Sequence, residues 1–112
     1  MLGYDAYVHE MRPGVSAEDL RRIAQLPYGE RTSYLGALTL RRVAHVPYRT
    51  WVDRLLESAE EGRALLVHDG GYPFMFYATG ADIRTNFAAS GGEAIADLAD
   101  TTWYFVEAWD QS

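Results

Sequence analysis

The sequence predicts an α+β fold, in which helices cover a small, mostly antiparallel sheet. Residues 64–79 indicate a central hairpin, because Asp69, Gly70 and Gly71 supply the positive φ angles of a tight turn between two apolar runs. Both strands of this hairpin are apolar on both faces, which is typical of a sheet covered by helices. Residues 101–108 are aromatic and β-branched and predict a further core strand.

The first half of the chain predicts one short strand and one clear helix. Residues 4–11 are compatible with the strand. Ser16 then opens the helix as its N-cap, and Asp19 stands three positions later, as in a capping box. Residues 31–46 have apolar side chains at helical spacing, but Gly36 and the β-branched residues weaken a helix there. That segment stays ambiguous.

Further helices are predicted on either side of the hairpin. Residues 47–61 predict a helix that begins at Pro47 and buries one apolar face. After the hairpin, residues 79–92 predict a polar connection with room for a helical turn. Residues 91–100 predict a short acidic helix. The side chains expected to point inward from that helix are Ala94, Ile95 and Leu98.

Composition limits the class of protein. A chain of 112 residues predicts a single domain over 1–112, and a hydrophobic content of 48% excludes a disordered chain. The absence of cysteine excludes disulfides, cysteine-based zinc sites and a cysteine nucleophile. No apolar run approaches the roughly 20 residues of a membrane helix, and no signal-peptide pattern occurs. A soluble cytoplasmic protein is therefore expected.

The net charge of −6 is distributed unevenly along the chain. Residues 1–56 carry eight Arg and six acidic residues, whereas residues 57–112 carry two Arg and ten acidic residues. The complete absence of Lys excludes a catalytic lysine. Because phosphate contacts need a basic face, nucleic acid is not an expected partner. A basic protein is the partner that this charge favours.

The histidines are the candidates for chemistry. His9, His45 and His68 show no metal-ligand spacing, and no cofactor motif occurs, so neither a metal nor a cofactor is expected. His45 lies just before Pro47, at a predicted boundary between elements, where an imidazole can act as a general base. Glu107, an acid in an otherwise apolar strand, is the candidate to orient that imidazole. The alternative is that Glu107 faces water on the polar side of its strand.

Four segments between residues 35 and 109 carry a family resemblance: "LGALTL", "HVPYRTW", "ALLVHDGGYPFMFYATG" and "WYFVEAW". Together they resemble the front half of the RTX toxin-activating lysine acyltransferases, whose fold is related to the GCN5-type N-acetyltransferases. The resemblance implies that His45 is the catalytic imidazole and that Glu107 stands in the place of the family's catalytic aspartate. The family's later strands have no counterpart here, and no acetyl-CoA loop is present.

The resemblance also implies a reaction and its partners. A fatty acyl group would pass from acyl carrier protein to a lysine of a partner toxin, with His45 removing a proton from the amine. The acyl tunnel would then lie between the hairpin and the helix 47–61. A homodimer could complete the groove that one chain lacks.

A different class of function fits the same composition. The alternative is a non-enzymatic interaction module, such as an immunity protein or a phage-type inhibitor, that binds a basic partner by charge complementarity. A small structural subunit without any site is the third possibility. The acidic face of an interaction module would consist of Glu57, Glu60, Glu61, Asp97, Asp100 and Asp110.

Overall fold

The computed structural model describes residues 3–68, 73–87 and 92–110, and it confirms the α+β class. In the described part of the chain, five strands form one antiparallel sheet on which five helices pack. In chain order the elements are β1 (Tyr4–Met11), α1 (Ala17–Ala24), α2 (Tyr28–Leu38), β2 (Thr39–Thr50), α3 (Asp53–Glu60), β3 (Leu65–His68), β4 (Phe74–Thr79), α4 (Gly80–Phe87), α5 (Gly92–Ala96) and β5 (Trp103–Asp110).

The strand order across the sheet is β2-β1-β5-β4-β3. The aromatic strand β5 lies at the centre, between β1 on one side and β4 on the other. The predicted hairpin strands β3 and β4 pair with each other, and β3 forms one edge of the sheet. The predicted turn at Asp69, Gly70 and Gly71 lies outside the described residues.

Each face of the sheet packs on its own helices. On one face, Val8, Phe76 and Val106 are buried against α3, α4 and α5. On the other face, Met75 and Phe105 are buried against α1 and α2. Successive side chains of a strand point to opposite faces, so a sheet with helices on both sides needs apolar residues in succession. This explains the unbroken apolar runs of the hairpin.

The predicted helix over residues 47–61 is wrong before Asp53. Residues 39–50 form the edge strand β2, and the helix of the ambiguous segment ends at Leu38. Pro47 therefore lies in a strand and does not begin a helix. An edge strand tolerates proline because its outer backbone groups need no ladder partner, and the pairing of β2 with β1 is irregular near this position.

The segment between the hairpin and β5 is more helical than its composition predicts. Residues 80–87, expected to form a polar connection, form α4, with Ile83 and Phe87 buried. In the next segment Ile95 and Leu98 are buried, as predicted, whereas Ala94 is exposed. Nowhere in the described ranges is a helix both long and apolar enough to cross a bilayer.

The start of α1 confirms the predicted capping box. The backbone N–H of Asp19 donates to Ser16 Oγ at 3.3 Å, and the backbone N–H of Ser16 donates to Asp19 Oδ2 at 3.0 Å. The second of these bonds, from the Ser16 backbone, holds the pKa of the Asp19 carboxyl below its ordinary value.

Gly80 joins β4 to α4 at a point where no side chain fits. A Cβ atom at this position would lie 2.0 Å from the carbonyl oxygen of Ala99, which belongs to the backbone and cannot rotate away. Glycine thus lets the start of α4 pack directly on the segment that leads into β5.

We expect Gly80→Ala to lower the free energy of unfolding by about 2 kcal/mol, because overpacking forces the backbone of Ala99 to move. Gly36→Ala is the matched control. Gly36 lies inside α2 with open space where its Cβ would be, so alanine there should stabilise by about 0.5 kcal/mol. Urea denaturation of both variants measures the difference. Equal stability of the two variants would contradict the close approach at Gly80.

We expect Asp19→Asn to destabilise the protein at pH 7 and to have a smaller effect at a pH below the lowered pKa of Asp19. Because the pKa of Asp19 lies below its ordinary value of 3.8, its ionised form stabilises the fold above that pH. This contribution is lost as the pH falls through the lowered pKa. Urea denaturation at several pH values measures it. A difference from the unaltered chain that is the same at all pH values would show that the charge plays no part.

Candidate functional site

Helices α1 and α2 leave part of their sheet face uncovered. The uncovered part spans three neighbouring strands, β2, β1 and β5, and we call it the open face. Polar side chains from all three strands meet there through cross-strand pairs. The residues of the open face are Asp5, Tyr7, His9, Arg42, His45 and Glu107.

The closest polar contact on the open face joins His9 to Glu107. The Nε2 atom of His9 lies 2.8 Å from Glu107 Oε1, and the two side chains are only 14% and 25% exposed. Since a carboxylate only accepts, Nε2 is the donor in this bond. The pair borders a cavity of about 200 Å³ whose walls include Phe105 and Trp109.

His45 lies at the outer side of the same face. Its ring stacks on Tyr7, with 4.6 Å between ring centroids and 7° between planes, and its Nε2 atom lies 3.6 Å from Asp5 Oδ1. The guanidinium of Arg42 also lies over the Tyr7 ring, 4.5 Å from its centroid. His45 is 44% exposed, so this group is more open to water than the His9 pair.

The predicted contact between His45 and Glu107 is wrong. Tyr7 of β1 pairs with His45 on one side and with Glu107 on the other. The two residues therefore point from the same face but stand two strand spacings apart, about 10 Å between their Cα atoms. The first strand inserts between them. The catalytic roles of His45 and Glu107 stay predictions, and Glu107 bonds to His9 instead.

A second, larger cavity lies at the opposite edge of the sheet. It has a volume of about 680 Å³ and crosses the edge strand β3 from α1 on one face to α3 on the other. We call it the edge groove. Burial raises the pKa of the Tyr77 hydroxyl in its wall. The lining residues are Ala17, Arg21, Leu56, Ala59, Glu60, Gly62, Ala64, Leu65, Leu66, Tyr77 and Trp103.

The predicted acidic face is partly neutralised by arginines of the same chain. Glu57 pairs with Arg54, Glu61 with Arg63, and Asp100 with Arg84. Glu60 and Asp97 are exposed and form no ion pair within the described residues, whereas the side chain of Asp110 lies outside them. Of the acids predicted for this face, Glu60 is the one that borders the edge groove.

No cluster of three or more His, Cys, Asp or Glu side chains that could hold a metal ion occurs in the part of the chain that the structure describes. Comparison with known proteins gives no match to a family model, to a curated protein or to a solved structure. These comparisons therefore bear neither on the acyltransferase resemblance nor on any other function.

A double-mutant cycle separates the two histidines as partners of Glu107. His9→Ala combined with Glu107→Ala should show a coupling free energy of about 1 kcal/mol, because the two side chains share a partly buried hydrogen bond. The control cycle pairs His45→Ala with Glu107→Ala and should be additive within about 0.3 kcal/mol. Urea denaturation measures both. A larger coupling for His45 than for His9 would contradict the register.

Proposed function

We propose that this chain is a protein-interaction module that takes an extended, basic and apolar segment of a partner protein into the edge groove. The observation that carries this proposal is the position of a cavity of about 680 Å³ beside β3, which pairs with no second strand within the described residues. An immunity protein or an inhibitor of another protein would be a module of this kind.

The apolar part of the partner is inferred from the walls of the edge groove. Leucine and alanine side chains from α3 and β3 line it, and Tyr77 and Trp103 pack together with 5.0 Å between ring centroids. Trp103 remains 38% exposed. Partly exposed tryptophan and tyrosine are the side chains that most often anchor a protein partner, because they bury a large area on binding.

The basic part is inferred from the charges at the rim. Arg21 and Glu60 both reach the edge groove, but Arg21 is paired with Glu18 at 2.7 Å. Glu60 has no such partner among the described residues, and residues 57–112 carry a large excess of acid. A cation on the partner would therefore find a free carboxylate next to an apolar surface.

The extended shape is inferred from the two edges of the sheet. Among the described strands, β3 pairs with β4 alone, and it contains no proline, so its outer backbone groups can accept a short added strand. The opposite edge, β2, carries Arg41, Arg42 and Pro47, which are residues that hinder edge-to-edge pairing. With only four residues, β3 limits the added strand to a short one.

Acyl transfer to a protein amine is the second proposed function. It is favoured by the position of the edge groove, which lies between the hairpin strands and α3, where an acyl tunnel would be expected. His45 stands four strand spacings from β3, about 19 Å away, so an acyl chain held in this groove would have to extend across the sheet to bring its thioester to His45. The test compares the unaltered chain with the His45→Ala variant, each supplied with acylated acyl carrier protein. This proposal predicts that the variant loses acyl transfer.

The interaction module is tested with a chain in which Trp103 is the sole tryptophan, made by Trp51→Phe and Trp109→Phe. Ten-residue peptides that alternate Arg with Leu should shift its emission to the blue, and peptides with Glu in place of Arg should not. Glu60→Gln should weaken binding about threefold, and raised salt should weaken it further. Glu93→Gln is the matched control, since Glu93 is an exposed acid on α5 and does not line the groove.

Two results would overturn the proposal. One is an equal response to the Arg and Glu peptides, which would show that charge does not select the partner. The other is unchanged binding of the Arg–Leu peptide to the Trp103→Ala variant, measured through a fluorophore attached to the peptide. In that variant a loss of about tenfold is expected, because the anchor and its apolar contacts are removed.

A further inference from the structure

Glu107 is an acidic side chain surrounded by apolar and aromatic ones. Phe105 and Trp109 stand two residues before and after it and point to the same face of β5. Across the sheet, Glu107 pairs in register with Tyr7 on β1 and with Met75 on β4. A carboxylate in such surroundings is costly unless another group compensates its charge.

Within the described residues, the hydrogen bonding of the Glu107 carboxylate is incomplete. His9 supplies the one hydrogen bond that Glu107 makes within the described residues, and it reaches only Oε1. The other oxygen, Oε2, accepts no hydrogen bond from the described residues. The nearest arginine of the open face, Arg42, lies over the Tyr7 ring and forms no ion pair with Glu107. The second carboxylate oxygen is therefore available to an external cation.

From this arrangement we propose that the cavity beside Glu107 binds a small organic cation with an alkylated ammonium group, of the choline type. An aromatic ring in a cavity wall attracts a cation, and the half-buried Trp109 is the ring available for this, whereas Phe105 is 1% exposed and adds apolar surface. Leu35, Pro73 and Met75 add apolar surface that suits N-methyl groups. A hydrated metal ion would need several oxygen ligands, which these walls do not provide.

The size of the cavity selects a small ligand. Its volume is about 200 Å³, below the roughly 300–1,000 Å³ of pockets that hold drug-sized molecules. The cavity thus has room for the ammonium headgroup alone. Any larger substituent would extend past Thr39 toward solvent. This site is separate from the edge groove, because it lies between α2 and the strands β1, β5 and β4 and shares no lining residue with the groove.

The experiment uses a chain in which Trp109 is the sole tryptophan, made by Trp51→Phe and Trp103→Phe. Choline chloride should change the Trp109 emission saturably. The neutral isostere 3,3-dimethylbutan-1-ol has the same shape without the charge and should bind at least tenfold more weakly. Equal concentrations of sodium chloride correct for ionic strength. Glu107→Gln should weaken choline binding at least tenfold, whereas Glu93→Gln should leave it unchanged.

Binding of the neutral isostere as strongly as choline would overturn the proposal, since the cavity would then be merely apolar. Retained choline binding in a folded Glu107→Gln variant would overturn it too. If circular dichroism shows that the Glu107→Gln variant is not folded, the comparison of choline with its isostere on the chain with Glu107 intact still tests the proposal. Because Trp109 reports on this cavity and Trp103 on the edge groove, failure of one proposal is distinguishable from failure of the other.

Discussion

The pairing of β1 with β5 is the constraint on which the rest of the structure depends. These two strands match from Tyr4 opposite Asp110 to Glu10 opposite Tyr104 without a register shift. Without this ladder, the sheet would divide into the two strands β2-β1 and the three strands β5-β4-β3. The ladder also places Ala6 and Val8 beside Val106 and completes the core that α3, α4 and α5 cover. A two-stranded sheet is marginal in water, so the β2-β1 pair depends on this ladder for its stability.

The same ladder creates the open face. Because β1 lies between β2 and β5, the imidazole of His9 reaches Glu107, while His45 is held away by the ring of Tyr7. The polar contacts of the open face are thus distributed along β1. Asp5 contacts a residue of β2, whereas His9 contacts a residue of β5. At the opposite edge β3 has no second neighbour, and α1 and α3 form the walls of the edge groove beside it. The strand order thus gives the molecule two different surfaces, the open face and the edge groove.

Local signals in the sequence predicted much of the fold and little of the site. The hairpin strands, the capping box at Ser16 and the aromatic strand β5 depend on near neighbours, and each of them was predicted. The strand at residues 39–50 was not, because pairing with β1 overrides a weak helical pattern. The hydrogen bond from His9 to Glu107 joins residues that are 98 positions apart in the sequence. Local sequence patterns do not determine which strands are neighbours in a sheet, so they do not predict this bond. An acid inside an apolar strand was the signal that a partner existed. Because β1 lies next to β5, the histidine that bonds to this acid is the one on β1.

The central position of β5 has a consequence for folding during synthesis. β5 is made after the other four strands, so β2-β1 and β4-β3 leave the ribosome as two unconnected pieces. At about 5–20 residues per second, each piece exposes an unpaired inner edge for seconds before the strand that bridges them arrives. Those inner edges carry Ala6, Val8 and Phe76, which is an apolar surface prone to intermolecular pairing. Pairing with β5 covers both inner edges, so the sheet is completed only after the last strand has been made.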